Sequence, residues 1–482
     1  MKKKFTLLAV TMTLMSFAQI QLGADIMGGN GDAFGGTVSS SNDGTILAAA
    51  ATWHDTGYVR VFKYLNSSWS PLGDTIFGDA YGDDFGFSIS LSDDGTILAI
   101  GAPQEYDSTG YVRVYEYSGS SWSQLGADID GEAAADESGY SVSLSDDGTI
   151  LAIGAIGYDL PGYTYPHGQV KVYKYLNGNW SQLGADLIGL RSTDGWGTAV
   201  SLSGDGTILA ITAPSAGAPL GTSLNDQGTV AIFGYSNGNW SAVGDTIYGQ
   251  VNGEGFGSSV SLSDDGSIIA VSLDNSVRVY DYSGSNWTQL GADIDGDFTN
   301  DNFGRSISLS DDGTIFATGA PENSNSRGYV KVYEYSGSNW TQLGANIDGD
   351  FDDDMLGYSV SLSGDGGSVA IGAPFYGIDS TTLSGYYFPT YSGVVRIYAT
   401  GVTTIGIPEN KSDLIIWPNP TRGFIHLDLV SPADFMLYSL TGQIVKKGTT
   451  EAQINISQLP AGRYQLQLIV DGVSNIYSLQ KL

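Results

Sequence analysis

Apolar and polar residues alternate in short runs along most of this chain. FGFSISLS (Phe85–Ser92) alternates with period two, and GYVRVYEY (Gly110–Tyr117) does the same. Between them GTILAIGA (Gly95–Ala102) is apolar on both faces. Period-two alternation predicts a half-buried strand, and a short unbroken apolar run between turn residues predicts a strand covered on both sides. SWSQLG (Ser121–Gly126) supplies a fourth strand signal. No segment carries a sustained apolar stripe at helical spacing.

The four-strand pattern repeats. Trp69, Trp122, Trp180, Trp240, Trp287 and Trp340 each stand in a phrase like SSWSQLGADIDG. An apolar or small residue plus Gly opens each unit, at Phe34-Gly35, Phe85-Gly86, Ser138-Gly139, Trp196-Gly197, Phe256-Gly257, Phe303-Gly304 and Leu356-Gly357. Four strands in each of seven units predict an all-β chain built on a seven-bladed β-propeller over residues 19–401. Asp-Gly lies between strands one and two of every unit, as in Asp94-Gly95. It predicts the inner hairpin of a blade, because both residues tolerate positive φ. The seventh unit ends GVVRIYATG without a Trp-type strand, while Gln19–Asp25 reads QIQLGAD and matches SQLGADI elsewhere. The chain's first strand is therefore expected to complete the last blade and close the ring. A linear solenoid, the alternative, would not need that offset.

Phe-Gly at the start of a unit and Gly-Ala-Pro after its second strand form a recurring pair. Phe85-Gly86 with Gly101-Ala102-Pro103 shows it, and so does Phe303-Gly304 with Gly319-Ala320-Pro321. The pattern resembles the FG-GAP repeats of integrin α-subunit propellers, over about residues 20–400. That resemblance implies calcium loops between strands one and two. Here those loops shrink to Ser-Asp-Asp-Gly-Thr or near it, too few oxygens for a six-to-eight-coordinate shell, so the family's calcium sites are not carried over there.

Composition sharpens the picture. The chain opens MKKKFTLLAVTMTLMSFAQ, a basic start, a short apolar run and a small-residue cleavage site. Residues 1–18 read as a secretory signal peptide cut after Ala18, too short to span a bilayer. No transmembrane segment is expected. Cysteine is absent, which removes disulfides, thiol nucleophiles and zinc-thiolate sites. Residues 19–407 hold 11 basic and 46 acidic side chains, net −35. Such a surface repels nucleic acid and anionic lipid and suits cation binding.

Residues 402–412 read as a linker and 413–482 as a small β-sandwich of short strands and Gly/Pro turns. Pro418, Asn419, Pro420, Gly423, Gly442, Leu459, Gly462, Tyr464 and the terminal Lys481 make this segment resemble a type IX secretion system C-terminal sorting domain. The resemblance implies export across an outer membrane, with the secretion machinery and its sortase as partners, and a mature chain released or attached at the cell surface.

Catalytic signatures are scarce. The three histidines, His54, His167 and His426, show no metal spacing, and no nucleophile elbow or phosphate loop occurs. Two loop sets share one propeller face. The connections between units are acidic, and Asp295, Asp297 and Asp301, or Asp348, Asp350, Asp352 and Asp354, are candidate calcium ligands; solvated turns are the alternative. The strand-two-to-three loops vary in length and carry Tyr158, Tyr163, Tyr165, Tyr376, Tyr386, Tyr387 and Tyr391. These are candidate contacts for a glycan or protein, or else pack onto the propeller itself. The expectation is a non-enzymatic binding or adhesion protein, with calcium as the candidate cofactor. A polysaccharide-active hydrolase or lyase and a structural surface-layer component are the rivals.

Overall fold

The computed structural model describes residues 19–401 apart from 105–107, 164, 192, 217–226, 324, 378 and 384–385. Of 416–481 it describes all but 418–423, 428–432, 440–443, 451–452, 461 and 471–472. The chain divides into two units, residues 1–405 and 406–482. The signal peptide at 1–18 and the linker at 402–412 lie outside the described residues.

The first unit is a seven-bladed propeller of antiparallel sheets. The second blade shows the plan. Strand one is Ser88–Leu91, strand two Ile97–Ala102, strand three Tyr111–Ser118 and strand four Ser121–Gln124, paired in that order. Strand two is buried at every position, because neighbouring blades cover both its faces. Strand three is buried at its start and alternates outward, as its sequence pattern requires. Strand four is less simple than the sequence suggests. A Gly such as Gly73 or Gly126, at positive φ, interrupts it, and a two-residue strand beyond the break pairs again with strand three.

That interruption holds the blades together. Trp122 packs on Gly73, where an added Cβ would lie 2.8 Å from the indole, and its Nε1 donates to the Leu72 carbonyl at 2.8 Å. Trp69, Trp180, Trp240, Trp287 and Trp340 make the same bond to the preceding blade. The large residues before the unit-opening glycines are buried between blades, with Phe34, Phe85, Phe256, Phe303 and Leu356 fully enclosed.

The ring closes as expected. Ile20–Gln21 and Ile26–Met27 both pair with Val394–Ala399 of the seventh blade. Gln19 occupies the tryptophan position of this composite strand, and its Nε2 donates to the Leu343 carbonyl at 3.2 Å. A Gln thus replaces the seventh Trp.

The inner hairpins differ from expectation in one respect. Only the Gly of each Asp-Gly takes positive φ, such as +70° at Gly95. Asp94 instead accepts from the Ser92 hydroxyl and from the backbone and hydroxyl of Thr96. The turn is a four-residue one closed by a left-handed Gly, with the Gly95 amide bonded to the Ser92 carbonyl.

The second unit is a small β-sandwich. One sheet holds Ile416–Trp417, Phe424–Leu427 and Gln453–Asn455; the other holds Ile444–Thr450, Ala433–Ser439, Gly462–Val470 and Val473–Lys481. Ile425 and Ile454 of the first sheet pack with Phe435, Leu437 and Leu466 of the second. Among the described residues no helix is long and apolar enough to cross a membrane.

Candidate functional site

One face of the propeller carries the connections from strand two to strand three and from strand four to the next blade. Beneath it runs a ladder of cations at the third position of strand three. Arg113 bridges Asp79 before its blade and Asp128 after it. Arg278 pairs with Glu254 and Asp293, and Arg396 with Asp350 and Asp25. Lys171 meets Glu132, and Lys331 meets Asp297. The cationic side chains are largely buried; the three arginines clamp the loops on both sides of their blades, and the two lysines hold the loop on one side. Hydrogen bonding to Arg113 holds Asp79 and Asp128 below the usual carboxylate range, and Arg278 does the same to Asp293. Blade four has Ala231 at this position, and blade one has Arg60, which donates to the Met27 carbonyl and, among the described residues, bridges no carboxylate.

The candidate calcium ligands are divided among these tasks rather than gathered at one point. Asp297 takes Lys331 at 2.6 Å and Asn346 at 2.9 Å. Asp350 takes Arg396 at 2.6 Å, and Asp352 takes Arg327 at 3.2 Å. Asp301 and Asp354 are buried turn caps. Asp301 accepts the Phe298 amide and the Tyr329 hydroxyl, and Asp354 accepts the Phe351 amide. Asp295 accepts the Ser276 hydroxyl at 2.7 Å, and Asp348 is exposed. Among the described residues no group of three or more His, Cys, Asp or Glu is placed to hold a metal ion.

The candidate tyrosines also separate. Tyr163 and Tyr165 are exposed, and Tyr163 stands edge-on to the buried His167. Tyr158 is half-buried in the same loop. Tyr376 packs down on the propeller, between Phe351 and the Arg396 guanidinium. Tyr391 meets Phe375 at 5.0 Å. Tyr386 and Tyr387 stand on a hairpin pairing Tyr386–Thr390 with Asp379–Leu383, and their side chains lie outside the described residues.

A second aromatic set, not singled out from the sequence, surrounds the mouth of the central channel. The residue after each unit-opening Gly starts the innermost strand, so seven of them ring the axis. They are Gly36, Phe87, Tyr140, Thr198, Ser258, Arg305 and Tyr358. Phe87 and Tyr140 lie 4.9 Å apart, and the Arg305 guanidinium sits 4.5 Å from the Tyr358 ring centre. Burial raises the Tyr140 hydroxyl's pKa, while the charge of Arg305, three blades away, lowers it. The rim positions of blades three and six put the two residues on opposite sides of the ring. Tyr358 continues outward to Phe375, and Phe375 to Trp53 at 5.0 Å. The signal in the sequence was a single variable position between repeated ones, easily passed over inside a repeat.

The opposite mouth is acidic. The second residues of the inner hairpins are Asn42, Asp93, Asp146, Gly204, Asp264, Asp311 and Gly364. Their backbones form a closed circle, each amide donating to the next blade's carbonyl at 2.8–3.0 Å. Asn42 Nδ2 donates to both Asp93 and Asp311. A Cβ on Gly204 would fall 1.6 Å from Asp264 Oδ1 and 2.2 Å from Asp146 Oδ2, so carboxylates fill the space over that glycine. Burial and a hydrogen bond that the protonated Asp146 carboxyl donates to Asp264 push Asp146 up to about 8. Burial, offset by Asn42 and reinforced by Asp93 and Asp264, puts Asp311 at about 6. The sequence assigned these hairpins to architecture alone; their convergence appears only once the ring is closed.

Residues 415–478 match the family described as a secretion system C-terminal sorting domain. The C-terminal segment is a type IX secretion sorting domain. The sorting domain marks the chain for export to the cell surface or the medium and for contact with the secretion machinery. Within the sorting domain Tyr464 is buried and its hydroxyl donates to the Pro460 carbonyl at 2.9 Å, while Gly462 pairs with Lys481. Pro418, Asn419, Pro420, Gly423 and Gly442 lie outside the described residues. No curated protein matches the chain. Among solved structures it is similar to a putative 6-phosphogluconolactonase from Bacteroides uniformis, at 12% identity and TM-score 0.47, over 66% of this chain and 86% of that one. A putative 6-phosphogluconolactonase from Bacteroides fragilis gives 15% and 0.47, over 66% and 85%. U3-55K gives 14% and 0.48, over 79% and 98%. At these scores the likenesses carry no argument about activity.

Proposed function

We propose that this chain is an exported binding protein whose propeller takes a glycan or protein ligand through its loop face, without a catalytic role. The observation that carries the reading is the partly exposed aromatic surface at the channel mouth, the Phe87–Tyr140 pair on one side and the Tyr358–Phe375–Trp53 chain on the other. Trp53 is 60% exposed although it contacts Phe375, and aromatic surface left open beside a rigid scaffold suits recognition. The FG-GAP-like pattern supports the same reading, and the sorting domain supplies the location. His54 and His167 stand on separate strand-two-to-three loops, and His426 on a strand of the second unit.

The test is binding of the exported chain to a panel of glycans and extracellular proteins, in calcium and then in chelator. Selective binding that falls about tenfold or more in Trp53→Ala, with the fold intact by circular dichroism, is the expected result. Unchanged binding in Trp53→Ala and Tyr358→Ala would place the ligand elsewhere and remove the reading. Loss in chelator would assign calcium a part in it.

A further inference from the structure

Arg305 differs from the ion-paired cations of strand three. The strand-three cations Arg278, Lys331 and Arg396 are buried and ion-paired, and Arg113 and Lys171 are half-buried and ion-paired. Arg305 is exposed, and among the described residues no carboxylate pairs with it. Arg60 is also without a carboxylate partner among the described residues, but its guanidinium donates to the Met27 carbonyl and packs on Phe34 and Phe62, whereas Arg305 is exposed at the rim. Arg305 lies against the Tyr358 ring at the channel mouth, and Phe87 and Tyr140, in contact with each other, hold the same rim position on blades two and three.

Resting on the loop-face reading above, we propose that this mouth is a subsite for a sugar ring bearing a single carboxylate, a uronate. Three observations lead there. A guanidinium backed by an aromatic face presents its planar fork outward, the geometry that binds a carboxylate bidentately. The facing rings of Phe87 and Tyr140 offer flat apolar surface to a pyranose, and Thr198 and Ser258 add hydroxyls at the same rim. The rim's backbone amides are spent within their own turns, Phe87 to Asp84, Tyr140 to Glu137, Arg305 to Asn302 and Tyr358 to Met355. Little is left to hold a peptide main chain. The domain's net charge of −35 disfavours a densely charged polyanion, so the ligand carries its carboxylates sparsely.

The rim position also behaves as a specificity position should. Its neighbours repeat from blade to blade, whereas this one changes in nearly every blade, giving aromatic rings on blades two, three and seven, a cation on blade six and hydroxyls on blades four and five. A symmetric scaffold thereby acquires an asymmetric mouth.

The experiment is calorimetric titration of the full chain with methyl glucuronide, methyl glucoside and an acetylated dipeptide ending in a free carboxylate. The subsite predicts that the glucuronide binds tightest. It also predicts that Arg305→Gln weakens that binding about tenfold or more while leaving the glucoside unchanged, and that Arg305→Lys restores it only in part. Arg305 is exposed, so both variants fold; a thermal melt verifies this. Glucuronide and glucoside binding equally, or Arg305→Gln changing nothing, overturns the uronate subsite but leaves the loop-face reading standing. Tighter binding of the dipeptide overturns it in favour of a peptide ligand. No binding of any probe overturns it, and the glycan and protein panel then decides whether the loop-face reading falls with it.

Discussion

Phe85 shows how one side chain sets the geometry of a blade. It is fully enclosed between two sheets, and Gly86 beyond it takes φ of +94° with no room for a side chain, an added Cβ lying 2.8 Å from that of Ala50. Phe85→Ala is expected to cost about 3–5 kcal/mol, and Gly86→Ala about 1 kcal/mol or more, both measured by urea unfolding. Asp94→Ala removes three bonds that close a turn and should cost about 1–2 kcal/mol. At this scale the sequence placed the turns correctly and misjudged their conformation. Asp-Gly marks a hairpin, but whether Asp adopts positive φ or caps the loop depends on the Ser before it and the Thr after it. The rim residues were missed because Phe87, Tyr140, Arg305 and Tyr358 share no residue type; only their common position joins them.

The inner hairpins act together as an element. Seven of them form the backbone circle at the acidic mouth, and their carboxylates repel one another across the axis. Asp146 and Asp311 hold their protons more tightly folded, at about 8 and about 6, than unfolded, where the ordinary value is 3.8. Between those values the folded state binds more protons than the unfolded chain, so stability should fall as pH rises from about 4 through 8. The clamp carboxylates Asp79, Asp128 and Asp293 are lowered and act oppositely, their contribution disappearing as pH falls through 4. Thermal melts from pH 3 to 9 should therefore peak on the acid side of neutral. Asp146→Asn should raise the melting temperature at pH 8 and flatten the alkaline slope; an unchanged slope would show that the carboxylates do not share protons. Strand identity was legible from an unbroken apolar run in strand two, covered on both faces by neighbouring blades, and from alternation in strand three as it runs outward. The break in strand four was not, because it is set by the Trp of the next blade pressing on Gly73 and its equivalents.

Across the whole molecule, closure was legible from a short phrase, QIQLGAD, recurring out of place at the start of the chain. The structure adds that Gln19 replaces a Trp at the seam, so this joint lacks the indole packing of the other six. Removing residues 19–23 should expose the edge of Val394–Ala399, lower the melting temperature and produce concentration-dependent association visible by light scattering; a monomer of unchanged stability would count against the seam. The export role was legible because the sorting motifs keep a fixed order. The ligand face was legible only as a set of loops, since the rim of its mouth takes one residue from each blade of the repeat. Hydroxyl-radical footprinting of the full chain, with and without a ligand recovered from the binding panel, tests the central claim most directly. Protection of Trp53, Phe87, Tyr140 and Tyr358 is the predicted result. Protection confined to the outer strands, with the channel mouth equally oxidised in both states, would contradict it.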